Sequence, residues 1–246
     1  MEIKMLIDEF RAIENAEKAE FLRRFFKTGK GEYAEGDLFL GLTVPQVRLL
    51  VKPWRELPLS EIQTLIYSEY HEIRLAGFIL LVHQFKKAKT ATARTEIYRF
   101  YIQHARQANN WDLVDLSCRD IVGGYLLPET NRQILLKLAN SNNLWEQRIA
   151  IVSTWLLIKN GEFDNTFAIA KKFMTHSHSL IHKATGWMLR EVGKQDRAAL
   201  VEFLDKYCAS MPRTCLRYAI EHFSPDERRK YMTNETNMRV DAPTVD

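Results

Sequence analysis

The chain has 246 residues, of which 46% are hydrophobic and 27% charged, a balance typical of a globular protein and not of a disordered chain. No apolar run approaches the ~18 residues that a membrane span needs, and a formal net charge of +4 is too mild to indicate a partner. Only 10 Gly and 7 Pro interrupt the sequence, which argues against a turn-rich all-β protein and favours helices.

The N-terminal segment and the cysteines favour a cytoplasmic protein. Residues 1–21 are acidic and amphipathic, unlike the basic-then-apolar order of a secretory signal. Cys118, Cys208 and Cys215 are odd in number and lack the spacing of metal ligands, so we interpret them as reduced core residues.

Apolar residues recur at helical spacing along almost the whole chain. The predicted helices are 3–13, 15–27, 44–54, 59–69, 71–87, 90–108, 111–126, 128–140, 144–159, 162–174, 178–193, 196–208, 211–222 and 225–233. Pro45, Pro128 and Pro225 suit the first turns of three of them. We expect residues 1–233 to form a single domain and residues 234–246 to form a frayed tail.

A weak repeat runs through these helices. The residues HEIR at 71–74 resemble WEQR at 145–148, and a related IHK occurs at 181–183. The step from Arg74 to Arg148 is 74 residues, or twice 37, and the step from Arg148 to Lys183 is 35. Two-helix units of this length are typical of HEAT and armadillo proteins. The sequence therefore predicts an all-α, HEAT/armadillo-like helical-repeat solenoid with a concave basic groove.

Helix 178–193 places a tryptophan among cations. On a helical wheel Lys183, Trp187, Arg190 and Lys194 lie opposite the apolar stripe. That stripe consists of Ile181, Ala184, Thr185, Met188, Leu189 and Val192. Either the indole packs against the next helix pair and the cations are solvated, or this face binds an anionic polymer with the ring against a sugar or base.

Helix 111–126 pairs an aromatic ring with a carboxylate. Trp111 and Asp115 are four residues apart and therefore neighbours on one face. A partly shielded carboxylate beside a ring suits the stabilisation of a developing cation. Alternatively, Asp115 belongs to an internal Asp–Arg ladder, or it is a surface charge like Asp112 and Asp120.

Arg148 lies in the middle of the apolar face of helix 144–159, where it must find an anion or reach water. It could pair with Asp115 in the ladder, or it could bind a phosphate. The spacing alone leaves both alternatives open.

Two other patterns do not develop into sites. His176, His178 and His182 cluster without a carboxylate or cysteine to complete a metal set, so we expect no metal. The glycine-rich connection at residues 28–37 lacks the Gly-Lys-Ser/Thr ending of a phosphate-binding loop. We expect no cofactor.

The chain resembles the AlkD-like family of alkylpurine DNA glycosylases, which have HEAT-like repeats, from about residue 15 to residue 223. The resemblance is carried by four segments in order: FKTGKGEYAEGDLFLG at 26–41, NWDLVD at 110–115, WEQR at 145–148 and KATGWMLRE at 183–191.

The resemblance implies roles for individual residues. It gives Asp115 as the catalytic aspartate, Trp111 and Trp187 as the two functional tryptophans, and Arg148 as the active-site arginine. Either Phe25 or Phe26 matches an aromatic position that is often Tyr in the family, so a hydroxyl contact is missing here. Lys30 and Ala34 also depart from the family, which often has Pro and Gly there.

The resemblance further implies excision of N3- or N7-alkylated purines from double-stranded DNA, leaving an abasic site without strand cleavage. The family is associated with recognising the duplex from its backbone. We expect a DNA-binding surface that contains Lys183, Arg190, Lys194, Phe25 and Phe26. We also expect a monomeric enzyme in the cytoplasm, associated with the nucleoid when bound to DNA. Two alternatives remain: a non-catalytic relative that binds distorted or branched DNA, and a HEAT-type protein scaffold.

Overall fold

The apolar periodicity of the sequence produces helices throughout the part of the chain that the computed structural model describes, residues 2–238. The chain divides into two units, Met1–Pro128 and Glu129–Asp246. The helices of the first unit are α1 (Glu2–Ala12), α2 (Ala16–Phe25), α3 (Val44–Leu50), α4 (Leu59–Ile66), α5 (His71–Lys87), α6 (Ala91–Gln103), α7 (Trp111–Cys118) and α8 (Gly124–Leu126). Those of the second are α9 (Gln133–Ala139), α10 (Leu144–Val152), α11 (Trp155–Lys159), α12 (Asp164–Lys172), α13 (Ser179–Gln195), α14 (Arg197–Tyr207), α15 (Arg213–Ala219) and α16 (Pro225–Met238).

Within each unit, helices stack in the manner of helical repeats. In the first, α5 packs on α4, its neighbour in sequence, and on α3 and α7, the helices before and after it in the stack. In the second, α13 packs on α14 and also on α10 and α15. The three repeat signatures fall on α5, α10 and α13. The all-helical, helical-repeat fold is confirmed, and the basic groove stays a prediction.

Some boundaries differ from the predicted ones. Predicted helix 111–126 is continuous but contains a π-helical segment, Arg119–Gly123. Pro128 was assigned wrongly to a first turn, because α9 begins only at Gln133. At the other end, α16 takes in residues 234–238 of the predicted tail, and residues 239–246 lie outside the described residues.

The single-domain prediction is not decided by the division into two units. In a helical-repeat protein each repeat contacts mainly the repeats next to it, so a single domain of this kind can also divide into compact parts. The three cysteines are buried as thiols, in agreement with their interpretation as core residues. None of the helices between residues 2 and 238 combines the length and the apolarity that a membrane crossing requires.

Gly41 fixes the start of α2 against the rest of the first unit. Its φ of 82° lies in the left-handed region that favours glycine. The neighbouring carbonyl of Leu40 accepts a hydrogen bond of 2.8 Å from the backbone N–H of Asn15, the N-cap of α2. A Cβ on Gly41 would lie 2.1 Å from the Asn15 carbonyl oxygen. The approach of α2 to this loop therefore requires glycine.

Gly41→Ala is expected to lower the free energy of unfolding by about 2–4 kcal/mol, the sum of left-handed strain and overpacking. Gly161→Ala is the matched control, because Gly161 has a φ of 79° and a Cβ there would meet no described atom within 4 Å beyond its chain neighbours. The control is expected to lose only about 1 kcal/mol. Urea denaturation of both variants measures the difference, and equal losses would contradict the role of the close contact.

Candidate functional site

The first unit brings Trp111 together with both candidate phenylalanines. Trp111 begins α7, where the Asn110 side chain accepts a 2.8 Å hydrogen bond from the Trp111 backbone N–H. The indole stacks on Phe26 with ring centroids 5.4 Å apart, and it meets the edge of Phe25 at 6.2 Å. Phe26 is only 7% exposed, whereas Phe25 is 53% exposed. Of the two residues, Phe25 can therefore present a ring face to a ligand.

Asp115 lies one turn after Trp111 on α7 and is half-buried. Both residues line a hollow of about 410 Å³ on the surface of the first unit. Arg48, Lys86 and Arg119 line the same hollow, and the Arg119 Nε donates a 3.0 Å hydrogen bond to the backbone oxygen of Asp115. These three cations were not predicted, although the spacing of Arg119 four residues after Asp115 could have indicated it.

A buried ion network lies behind this hollow, and it uses Asp112 and Asp37. The Arg74 guanidinium donates to Asp37 at 2.7 Å, and the His71 Nε2 hydrogen-bonds to Asp112 at 2.8 Å. The His71 Nδ1 lies 3.7 Å from Asp37, which also accepts a hydrogen bond from Asn109. The first unit thus has an internal acid–base ladder of the kind that the sequence offered as an alternative role for Asp115.

The ladder holds His71 in its charged form at neutral pH. Burial lowers the pKa of this imidazole, but the charge and the hydrogen bond of Asp112, assisted by Asp37, outweigh it and raise the pKa from 6.5 to about 9. The ring is 2% exposed and is covered by Phe26 and Phe39, whose centroids lie 4.9 and 4.7 Å away. His71 is therefore placed to hold Asp112 and not to meet a ligand in the hollow of Asp115.

In the second unit, Arg148 is buried at 5% exposure on α10. Its Nη1 donates a 2.7 Å hydrogen bond to the carbonyl oxygen of Leu180 in the first turn of α13. This contact links α10 to the helix that carries Trp187. The partners left open by the sequence, Asp115 or a phosphate, both stay predictions.

The predicted cationic face of α13 also contains acids that the sequence interpretation overlooked. Trp187 is half-buried and Lys183 exposed, opposite the buried apolar stripe. Arg190 hydrogen-bonds to Glu221, and the Lys194 Nζ lies 2.7 Å from Glu191.

Glu191 is 5% exposed and also binds the Lys159 Nζ at 3.3 Å. Burial would raise its pKa, but the hydrogen bonds and charges of Lys194 and Lys159 lower it below the ordinary value. Two of the three predicted DNA-binding cations thus already have carboxylate partners. For Lys183 no such partner exists among the side chains that the structure describes.

The predicted residues fall into two groups. Phe25, Phe26, Trp111 and Asp115 belong to the first unit, and Arg148, Trp187 and the α13 cations belong to the second. Their assembly into one groove stays a prediction.

Both the fold and the sequence of the chain are similar to those of proteins described as DNA alkylation repair enzymes. A solved structure described as a predicted DNA alkylation repair enzyme from Enterococcus faecalis superposes with a TM-score of 0.68 and 18% sequence identity. The match covers 86% of this chain and 97% of that one, and at this identity it shows a shared fold. No curated protein sequence matches the chain. A family model described as DNA alkylation repair enzyme matches residues 6–223, and the chain therefore belongs to that family.

Proposed function

We propose that this protein is a monofunctional DNA glycosylase that hydrolyses the N-glycosidic bond of N3- and N7-alkylated purines and leaves an abasic site. The observation that carries the proposal is the position of Asp115. It lies beside Trp111 on the wall of a surface hollow that Arg48, Lys86 and Arg119 also line. A carboxylate in this position can contact the deoxyribose of a bound nucleotide.

One carboxylate is sufficient for this reaction. Glycosyl hydrolysis through an oxocarbenium-like state ordinarily needs an acid and a carboxylate. An N3- or N7-alkylpurine already carries a positive charge, so it departs as a neutral base without protonation. Asp115 stabilises the sugar cation and orients the attacking water.

The remaining predicted residues bind the DNA. Trp111 and Trp187 offer π faces to the cationic nucleotide, and Arg148 reaches a phosphate. Arg48, Lys86 and Arg119 surround the hollow of Asp115 with positive charge, which favours the approach of the DNA backbone. The substrate is duplex DNA, and we expect the enzyme to act as a monomer in the cytoplasm, next to the nucleoid.

The range of bases released tests the mechanism. Incubation with methylated DNA is expected to release 3-methyladenine and 7-methylguanine, detected by chromatography, with the strand intact until alkali cleaves it. Uracil in the same duplex is expected to stay attached, because a neutral base departs poorly without a proton donor. The rate is expected to be nearly constant from pH 6 to pH 8. Efficient uracil release, or a loss of rate with a midpoint near the ordinary histidine pKa of ~6.5, would show that a general acid acts.

The salt dependence of duplex binding tests the α13 surface. Lys183→Ala is expected to reduce the slope of log K against log salt by about 0.9, the value for one lost phosphate contact. Lys194→Ala is expected to change it less, because Glu191 already neutralises that ammonium. Lys172→Ala on α12, an exposed lysine outside the predicted site, is the control and should leave the slope unchanged. If Lys183→Ala and Lys172→Ala have equal slopes, Lys183 is only solvated surface.

A further inference from the structure

The half-buried Trp111 indole lies at the end of an aromatic stack that continues into the interior of the first unit. It stacks on Phe26 with ring centroids 5.4 Å apart and an interplanar angle of 30°. Phe26 in turn lies 4.9 Å from the His71 ring and 5.3 Å from Phe39, and those two rings stack 4.7 Å apart. Phe26, Phe39 and His71 are 7%, 5% and 2% exposed. The indole is therefore held by rings whose own positions are fixed by burial.

The helix that carries Trp111 is tied to the same imidazole. The His71 Nε2 donates a 2.8 Å hydrogen bond to the carboxylate of Asp112, the residue that follows Trp111. Four links thus form a closed ring: Trp111 to Phe26, Phe26 to His71, His71 to Asp112, and the peptide bond from Asp112 back to Trp111. Asp115 follows one turn later on α7 and lines the same hollow as Trp111. A displacement of His71 would therefore reach the indole through the stack, and both the indole and Asp115 through α7.

The imidazole in this ring of contacts is charged at neutral pH. Burial lowers its pKa, but Asp112 of α7 and Asp37 of the loop before α3 outweigh burial and raise the pKa to about 9. The other charged groups around it are Arg74 and Glu72 of α5 and Lys18 of α2, which lines the same pocket as His71. The contact between His71 and Asp112 is consequently an ion pair from about pH 6 to pH 8, the range in which we expect base release to be nearly constant.

We propose that His71 is a positioning residue of the glycosylase site, which holds the Trp111 ring and the adjoining turn of α7 in the geometry that presents Asp115 to the sugar. The inference rests on the proposed function and adds to it a residue that acts without touching DNA, since His71 is buried. Such a residue affects the rate because catalysis depends steeply on placement, and a misplacement of about 1 Å can slow a reaction about 10²-fold.

Fluorine NMR of the full chain labelled with 5-fluorotryptophan tests the coupling in the absence of DNA. The chain has five tryptophans, and Trp111→Phe identifies the Trp111 resonance. In the parent protein this resonance is expected to titrate with a midpoint near pH 9, where His71 loses its proton. In His71→Gln the titration should be lost and the resonance should shift or broaden. The internal control is Trp54, which lies between α3 and α4 and should not respond to the substitution.

Single-turnover release of 7-methylguanine at pH 7 measures the effect on the reaction. His71→Gln and Phe26→Leu are each expected to slow it by about 10–100-fold, with duplex affinity nearly unchanged. Phe26→Leu removes the ring between His71 and Trp111 without changing any charge, so it keeps the test valid if His71→Gln does not fold. Because both substitutions break the same ring of contacts, the double variant should be no slower than the slower single variant.

The control for a general loss of stability is Ile62→Ala. Ile62 is fully buried on α4, which contributes no ring to the stack, and its truncation destabilises the same unit by leaving a cavity. Its rate of base release should equal that of the parent protein at a temperature at which circular dichroism shows every variant to be folded.

The following results would overturn the proposal: a Trp111 resonance that neither titrates nor responds to His71→Gln, parent rates in both single variants, an equal loss of rate in Ile62→Ala, or losses that multiply in the double variant. The failures of the two proposals are distinguishable. Base release by the parent protein that neither variant slows would overturn the role of His71 and leave the glycosylase proposal in place. A titrating Trp111 resonance without any base release would support the coupling of His71 to Trp111 and contradict the enzymatic activity.

Discussion

Asp115→Asn is expected to slow the release of 7-methylguanine by about 10²–10³-fold, because the substitution keeps the shape of the side chain and removes the charge that stabilises the sugar cation. Duplex binding should be nearly unchanged, since a carboxylate contributes no attraction to phosphates. Single-turnover base release measures the first quantity, and fluorescence anisotropy with labelled duplex measures the second. A thermal melt is measured beside both, because a large loss of stability would mean that Asp115 has a structural role instead of a catalytic one.

The control for this prediction is Asp120→Asn. Asp120 lines the same hollow, and its carboxylate lies 2.9 Å from the Lys86 Nζ. This substitution removes the same charge from the same region but not from the position beside Trp111, so the rate of base release should change only slightly. If both variants slow base release equally, only the total charge of the hollow matters, and Asp115 has no special role.

The helices were predictable because their cause is local. Helix α5 has the predicted bounds 71–87, and α13 follows the predicted 178–193 within two residues. The π-helical segment at Arg119–Gly123 was not predictable, because no residue type marks it and it depends on the packing of the surrounding helices. The prediction that Pro128 lies in a first turn was wrong because proline occurs both in the first turn of a helix and just after a helix end.

The candidate site was predictable only where its contacts are local. Trp111 and Asp115 are found together because they are four residues apart on one helix. The burial of Phe26, in contrast, depends on its ring contacts with Phe39 and His71. The sequence of α2 alone does not indicate these contacts.

The ion pairs show the same limit. Asp112 pairs with His71 across 41 residues, and Arg190 bonds to Glu221 across 31, distances over which periodicity gives no information. The Glu191–Lys194 pair, only three residues apart, could have been found from the sequence.

The buried His71–Asp112 pair should make stability depend on pH. The pKa of His71 is raised from 6.5 to about 9 in the folded state, against burial, by Asp112 and Asp37. A group whose pKa is raised on folding stabilises the protein fully below its unfolded pKa. The stabilisation is then lost as the pH rises through the folded value. The contribution, roughly 3 kcal/mol from the size of the shift, should therefore be complete below pH 6.5 and should be lost as the pH rises through about 9.

Asp112→Asn is expected to remove most of this contribution. The free energy of unfolding from urea denaturation should fall by up to roughly 3 kcal/mol near pH 6.5 and by much less at pH 10, where His71 is already neutral in the parent protein. Asp120→Asn breaks a partly exposed pair and should cost less than about 1 kcal/mol at either pH. An equal loss at pH 6.5 and pH 10 for Asp112→Asn would mean that the carboxylate acts through packing or a neutral hydrogen bond. The convergence of parent and Asp112→Asn stabilities above pH 9 is therefore the specific signature of a buried imidazolium behind the hollow of Asp115.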